Sequence, residues 1–374
     1  MMTTDSLGLY VHIPFCVRKC NYCDFCSFPY SGAAWRDEYI SALCSEIRSY
    51  SHKKIRLNSI FFGGGTPSLL TSDEFCSIFA AIQDTFEISP GCEFTVEANP
   101  KTLSKENLDA FRKCGVNRLS IGLQSIHENE LKKLGRIHNF EEFLDSYNLA
   151  RSFGFNNINI DLMYGIPEQT IDSFRETLKT VHDLSPTHIS VYGLIIEEGT
   201  PFYKSLDSLT LPNEDIECEM YYLAADFLKA NGYSHYEISN YSRPGYECRH
   251  NLKYWRCDEY IGVGLAAYSY FGSRRYGNTN DPRVYLQRDG AKYEYDEVIG
   301  LTDAAYEYAM LGLRLAEGFS LSDYRKRFGE DFYQSRSEII DSFIREGYLL
   351  IENDRIFLTE RGFYVSNAIL TELI

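Results

Sequence analysis

The stretch CVRKCNYCDFC, from Cys16 to Cys26, packs four thiols into eleven residues. Three kinds of chemistry use thiols this close together: disulfide bonding, zinc coordination and iron–sulfur ligation. The spacing is C-x3-C-x2-C through Cys16, Cys20 and Cys23. Structural zinc takes four ligands, often as two separated pairs, and no second Cys/His pair at that spacing follows. An iron–sulfur cluster takes closely spaced thiolates from one loop. Three of them would hold three irons of a [4Fe–4S] cluster and leave the fourth iron open to a ligand. Cys26 sits so near Cys23 that it reads as a bystander, with fourth-ligand duty as the alternative. The other seven cysteines (Cys44, Cys76, Cys92, Cys114, Cys218, Cys248, Cys257) are scattered and read mostly as small buried apolar side chains.

A disulfide framework needs an oxidising compartment, and the sequence offers no route to one. The start, MMTTDSLGLYVHIPFC, lacks a basic segment followed by a long apolar one. The longest nearly uncharged apolar stretch, Tyr260–Gly272, is too short and too rich in glycine to span a bilayer. The expectation is a cytoplasmic protein without a transmembrane segment, its thiols reduced.

What must position the thiols is a chain of 374 residues, 44% of them apolar and 15% aromatic, with a net charge of −16. That suffices for a barrel and an appended domain. It makes a poor general binder of phosphate backbones, so nucleic acid is not an expected partner. Short apolar runs of strand type alternate with amphipathic segments of helix type. The strands are expected at Leu7–Ile13, Asn58–Gly64, Cys92–Asn99, Val116–Ser125, Asn156–Gly165 and Thr187–Leu194. Six such units imply parallel strands joined by right-handed crossovers. The fold class is therefore α/β: a partial (β/α)6 barrel of the TIM type with a C-terminal helical, winged-helix-like domain. Barrels carry function at the C-terminal strand ends. Here those ends read Gly63-Gly64-Gly65-Thr66, Glu97-Ala98-Asn99, Gln124-Ser125 and Asp161, and their polarity points to one shared site. The expected division is a cluster-bearing barrel over 1–200, an extension over 201–300 and the winged-helix-like domain over 301–374. The run Arg325-Lys326-Arg327 is the basic segment of the last part, and acidic residues surround it.

Taken together, YVHIPFCVRKCNYCDF, GGGTPS, EANP, SIGLQS, GRIHN and NIDLMYGIPEQT resemble the radical S-adenosylmethionine (radical SAM) superfamily. Within it they resemble the oxygen-independent coproporphyrinogen dehydrogenases, HemN, and their relatives, HemW. The resemblance implies a [4Fe–4S] cluster on Cys16, Cys20 and Cys23 and SAM on its open iron. It implies that Tyr10 and Tyr22 line the SAM pocket and that Gly64, Gly65 and Thr66 let the backbone approach the methionine amino group. Glu97 would bind SAM, and Gln124, Arg136 and Asp161 would contact SAM or a second ligand. No residue is assigned a catalytic role beyond holding these groups.

Two departures separate the chain from the dehydrogenases. They carry a further cysteine two residues after the third cluster cysteine, where this chain has Phe25, and they have a longer segment before the loop. The segment HNLKYW, His250 to Trp255, instead resembles the HN-x-x-YW motif of the HemW haem chaperones. That implies haem as a third cofactor, with His250 as axial ligand and Cys248 as a weaker candidate. Arg243, Arg249, Lys253 and Arg256 would meet the propionates, opposed locally by Glu247 alone, and Tyr254 and Trp255 would pack on the macrocycle. The expected partners are haem, haem-acceptor proteins (respiratory ones among them) and an electron donor. The alternative is a radical SAM decarboxylase forming porphyrinogen vinyl groups; a third reading is methyl transfer with two SAM molecules. SAM cleavage by the chain stays open at this point.

Overall fold

The computed structural model describes residues 7–29, 34–51, 55–287 and 293–374. Residues 1–6, part of the start read above, lie outside them. All six expected strands form: β1 (Leu7–Ile13), β2 (Arg56–Gly64), β3 (Glu87–Ala98), β4 (Arg118–Gln124), β5 (Asn157–Tyr164) and β6 (His188–Gly193). They pair in sequence order, each parallel to the next. Their residues are buried on both faces, as a parallel sheet covered by helices requires.

The intervening helices are α1 (Ala34–Arg48), α2 (Ser72–Thr85), α3 (Lys105–Lys113), α4 (Glu128–Lys133), α5 (Phe140–Ser152) and α6 (Ile171–Asp183). Thr71, Ser104, Asn139 and Thr170 each accept from the backbone three residues on, and the third-position side chain reaches back. These reciprocal caps satisfy donors that a helix start otherwise leaves open. The apolar face of each helix covers the sheet. Leu9, Val11, Ile60, Phe62, Val96, Ile121 and Ile160 lie fully enclosed beneath them. Each such side chain contributes about 1.5–3 kcal/mol of burial.

The sheet runs further than six strands. After α7 (Glu214–Ala230) the hairpin β7 (Ser234–Glu237) and β8 (Asn240–Ser242) joins antiparallel to β6. On the opposite side β9 (Tyr260–Val263) joins parallel to β1, and β10 (Tyr268–Phe271), β11 (Arg274–Gly277) and β12 (Tyr295–Val298) continue antiparallel. The order is β12-β11-β10-β9-β1-β2-β3-β4-β5-β6-β8-β7, twelve strands in one sheet. Its outer strands, β12 and β7, do not pair with each other. Between β8 and β9 lies α8 (Arg249–Trp255), which carries the HNLKYW segment. No helix among the described residues is long and apolar enough to cross a membrane.

From Leu301 a second core forms around Leu313, Phe319, Tyr324, Phe332, Ile340, Leu349, Ile356 and Leu358. Three longer helices, Leu301–Gly312, Leu321–Phe328 and Ser337–Arg345, with the short helix Phe332–Ser335 between the last two, precede a hairpin of Leu349–Glu352 and Arg355–Leu358, in the winged-helix manner. Two short helices follow, Glu360–Tyr364 and Ser366–Leu373. Within the basic run, Arg325 pairs with Asp331, and the Arg327 guanidinium lies 5.0 Å from the Tyr308 ring centre.

Candidate functional site

The cysteine loop leaves the end of β1 and is fastened at several points. The Phe28 N–H donates to the Pro14 carbonyl at 2.7 Å. Asn21 donates from its backbone to Leu134 O (2.9 Å) and from its side chain to Lys133 O (2.7 Å), at the end of α4. Gly135 follows with φ +76°, and a Cβ there would stand 3.0 Å from the Asn21 side chain, so the loop can lie close only because this residue is glycine. The His12 Nε2 bonds the Cys26 carbonyl at 2.8 Å, and its Nδ1 meets the Tyr10 hydroxyl at 3.1 Å. Burial holds the His12 pKa down at about 4, so the ring is neutral and passes one hydrogen bond along.

The loop covers one mouth of a cavity of about 460 Å³ within the curve of the sheet. Cys16, Cys20 and Cys23 line it, and so do Tyr10, Tyr22, Gly64, Gly65, Thr66, Glu97, Gln124, Arg136, Asp161 and His250. The residues expected to hold the cluster and SAM thus face one space together with His250, although they span more than two hundred positions. Period-2 alternation does this: Glu97 and Asn99, then Ser120, Gly122 and Gln124, then Asn159, Asp161 and Met163 project to the same side. Asp161 lies mid-strand in β5, one turn of the pleat deeper than a strand end.

The thiols sit among donors. Thr66 Oγ1 is 3.6 Å from Cys16 Sγ, and Arg136 Nη1 is 3.5 Å from Cys20 Sγ. Arg136 is half-buried, donates to Asn99 Oδ1 and to Gly122 O, and leaves its Nε without a partner. Asn99 in turn donates to Thr66 Oγ1 at 2.8 Å. Burial pushes the Cys16 thiol up, and the Thr66 hydroxyl works against that shift. No three His, Cys, Asp or Glu side chains among the described residues converge on one point. A cluster takes one thiolate per iron and so spreads its ligands, whereas zinc gathers them. The three thiols, the fixed arginine and the open cavity beside them fit a [4Fe–4S] cluster with an exchangeable position. The Cys26 thiol is not in the cavity wall; it points to Asn280 O at 3.8 Å.

Beyond the thiols the wall turns acidic. Gly64 N–H donates to Glu97 Oε2 at 3.2 Å. Burial, and next the Asp161 charge, push the Glu97 carboxyl up to about 8. Asp161 is also raised by burial, although Asn159 (2.7 Å) and Ser120 (3.3 Å) donate to it. A half-buried acidic pair with Gly64 and Gly65 beside it suits a ligand carrying positive charge and an amino group. Gly65 is required sterically: a Cβ there would meet Phe15 O at 2.6 Å.

Residue by residue, the environment of His250 differs from what its sequence neighbours suggest. The ring is 1% exposed, with Nδ1 2.9 Å from Ser59 Oγ and Nε2 2.9 Å from Tyr254 Oη. Phe61 stacks on it at 5.3 Å. Burial, then Lys253 and Arg118, hold its pKa down at about 3. Neither nitrogen is free in this arrangement. The expected cationic patch is corrected, because partners arrive from distant elements. Arg249 donates to Gly91 O and pairs with Glu93, Arg256 pairs with Glu317, and Arg243 stacks over Tyr233 at 4.3 Å. Lys253 is only 4% exposed. Cys248 points its thiol at Glu93 (3.6 Å).

Sequence reasoning did not single out His12, Arg118 or Glu93. Asn99 was visible as part of EANP and at a strand end, yet received no role. Arg118 is fully buried in the cavity wall with its Nε unpartnered. An arginine opening a strand carries no local sign of that.

Comparison with known proteins decides the family. Residues 10–181 match the model of the radical SAM superfamily, and residues 299–365 that of the HemN C-terminal domain. The chain is 35% identical over 368 residues to a protein of Lactococcus lactis named heme chaperone HemW, covering 98% of this chain and 96% of that one. The chain belongs to the HemW family of radical SAM proteins. It is also 35% identical to heme chaperone HemW of Escherichia coli, over 99% of this chain and 98% of that one. Among solved structures, coproporphyrinogen III oxidase (HemN) of Escherichia coli superposes with a TM-score of 0.87 at 23% identity, covering 99% of this chain and 91% of that one. That likeness establishes the fold. Membership of the radical SAM superfamily implies a [4Fe–4S] cluster and SAM, and HemW proteins share this chain's full length.

Proposed function

We propose that this protein is a haem chaperone. It holds a [4Fe–4S] cluster on Cys16, Cys20 and Cys23, binds SAM beside it, and delivers haem to acceptor proteins. The observation that carries the reading is 35% identity to HemW chaperones along essentially the whole chain, C-terminal region included. The coproporphyrinogen dehydrogenase alternative is not favoured. Phe25, 63% exposed at the cavity mouth, stands where those enzymes carry a further cysteine.

Within this reading Arg136, Thr66 and Asn99 orient the thiolates, and Glu97 and Asp161 receive the positively charged part of SAM. Tyr10 and Tyr22 wall the SAM pocket and Gln124 borders it. The cluster and SAM, when bound, supply one-electron reduction of a sulfonium, with the electron coming from a donor protein. For His250 to ligate haem iron, its Nε2 must exchange the Tyr254 hydroxyl for the metal. The neutral ring is the protonation state such a ligand needs.

The test is an anaerobic incubation of reconstituted protein with SAM, a reductant and coproporphyrinogen III, quantifying porphyrins and 5′-deoxyadenosine. No protoporphyrinogen above the no-SAM control is expected, and its appearance would make the protein a dehydrogenase. In parallel, wild type and His250→Ala are titrated with haem. The chaperone reading predicts that wild type binds haem, and His250→Ala should shift or lose the Soret band while cluster absorbance stays. An unchanged haem spectrum in the variant would place the iron ligand elsewhere.

A further inference from the structure

Outside the site, two cysteines of the helical layer meet. Cys76 Sγ, in the second turn of α2, lies 3.7 Å from Cys114 Sγ at the end of α3. They belong to a continuous seam between the helices. Ser72 Oγ donates to Glu106 O at 3.1 Å, the Phe75 and Phe111 rings stand 4.6 Å apart, and the thiols follow. Cys76 is exposed and Cys114 is buried. By contrast, Cys44, Cys92 and Cys248 are in contact with oxygen atoms and Cys26 points to a carbonyl. Lys113, paired with Asp109, lies within electrostatic reach of Cys76.

We propose that Cys76 and Cys114 form a redox-active dithiol that closes to a disulfide across the α2–α3 seam. The accessible Cys76 is the attacking thiol. Burial pushes the Cys114 thiol up to about 12, which suits it to the resolving role and keeps it from reacting first. The oxidant is a low-molecular-weight disulfide such as glutathione disulfide. Cys76 thiolate attacks one sulfur of it, forming a mixed disulfide and expelling one glutathione thiolate. Cys114 thiolate then attacks the Cys76 sulfur and expels the second. The two protein thiols lose two electrons, the glutathione disulfide gains them, and the two thiol protons end on glutathione. The bond would fasten the seam whose far end carries the site: Ser68 Oγ bonds Thr102 Oγ1, and Asn107 Nδ2 donates to Ser68 O at 3.0 Å, just past the Thr66 and Asn99 loops.

The experiment uses the full chain with its cluster reconstituted, held anaerobically in glutathione buffers of rising disulfide content. Tryptic mapping by mass spectrometry should find the Cys76 and Cys114 peptides cross-linked, with both thiols lost together and recovered by dithiothreitol. Cys114→Ala should trap glutathione on Cys76. Cys76→Ser, at an exposed position, should keep the circular dichroism of wild type and leave Cys114 unmodified. A stable glutathione adduct on wild-type Cys76 without a cross-link would overturn the proposal. So would a Cys76 that stays free at every ratio.

Discussion

Glu97 shows how much a single side chain owes to its surroundings. In water its carboxyl would be ionised at neutral pH; between Asp161 and a dry wall it holds its proton up to about 8. A cationic ligand there favours the ionised form, so binding should release a proton at lower pH. Below that pKa the affinity for SAM should rise with pH, by up to about tenfold per unit, and level off above it. Glu97→Gln has no proton to release at this position, so it should bind more weakly at pH 8 and show a shallower slope. Equilibrium dialysis of cluster-loaded protein across pH 6–9 checks this; parallel slopes in the two proteins would remove Glu97 from the ligand site. The three loop cysteines and Glu97 stood out as candidates because spacing and strand-end position are local properties. The hydrogen bonds that occupy both nitrogens of His250 were not, because Ser59 is 191 positions away.

Among the elements, the short helix Arg249–Trp255 depends on a distant residue for its start. Cys248, at its N-cap, makes no side-chain cap. Glu93, buried in β3, accepts instead from the Arg249 N–H (3.0 Å) and the His250 N–H (3.0 Å), a carboxylate at the positive end of the helix. Glu93→Gln keeps an acceptor and should cost about 1 kcal/mol. Glu93→Ala leaves two buried donors open and should cost about 2–4 kcal/mol. Urea unfolding at unchanged m-value reads the difference; an alanine variant within about 0.5 kcal/mol of wild type would mean that water replaces the carboxylate. The six strands and their helices were legible from periodicity and from Ser, Thr and Asn caps. Short strands were also expected between His235 and Tyr276, but not that β9 would join the main sheet, since its partner β1 lies some 250 positions earlier.

At the scale of the molecule, the C-terminal region is packed against the barrel as well as following it in sequence. Tyr221, Tyr222 and Ile238 contribute to the second core. Ala316 N–H donates to Tyr236 O at 3.0 Å, and Arg275 grips Glu307 through both nitrogens (2.5 and 2.7 Å). A chain ending before Leu301 would expose those three side chains, a loss on the order of 5 kcal/mol, comparable with the whole stability of many domains. It should elute as aggregate on size exclusion and melt well below the full chain. A monodisperse product with the parent's melting midpoint would show that the barrel stands alone.

The sequence by itself determined the cysteine loop, the alternation of strands and helices, and the family, because each is written in short-range spacing or in ordered motifs. It also set the residues that meet in the cavity, since alternate positions on neighbouring parallel strands must share a face. Only the tertiary structure decided which of those groups are free. Charges that looked unopposed along the chain found Glu93 and Glu317, His250 found Ser59 and Tyr254, and Cys76 found Cys114. Pairing across the fold depends on which surfaces pack together, and local spacing carries no record of a contact made between residues far apart in the chain.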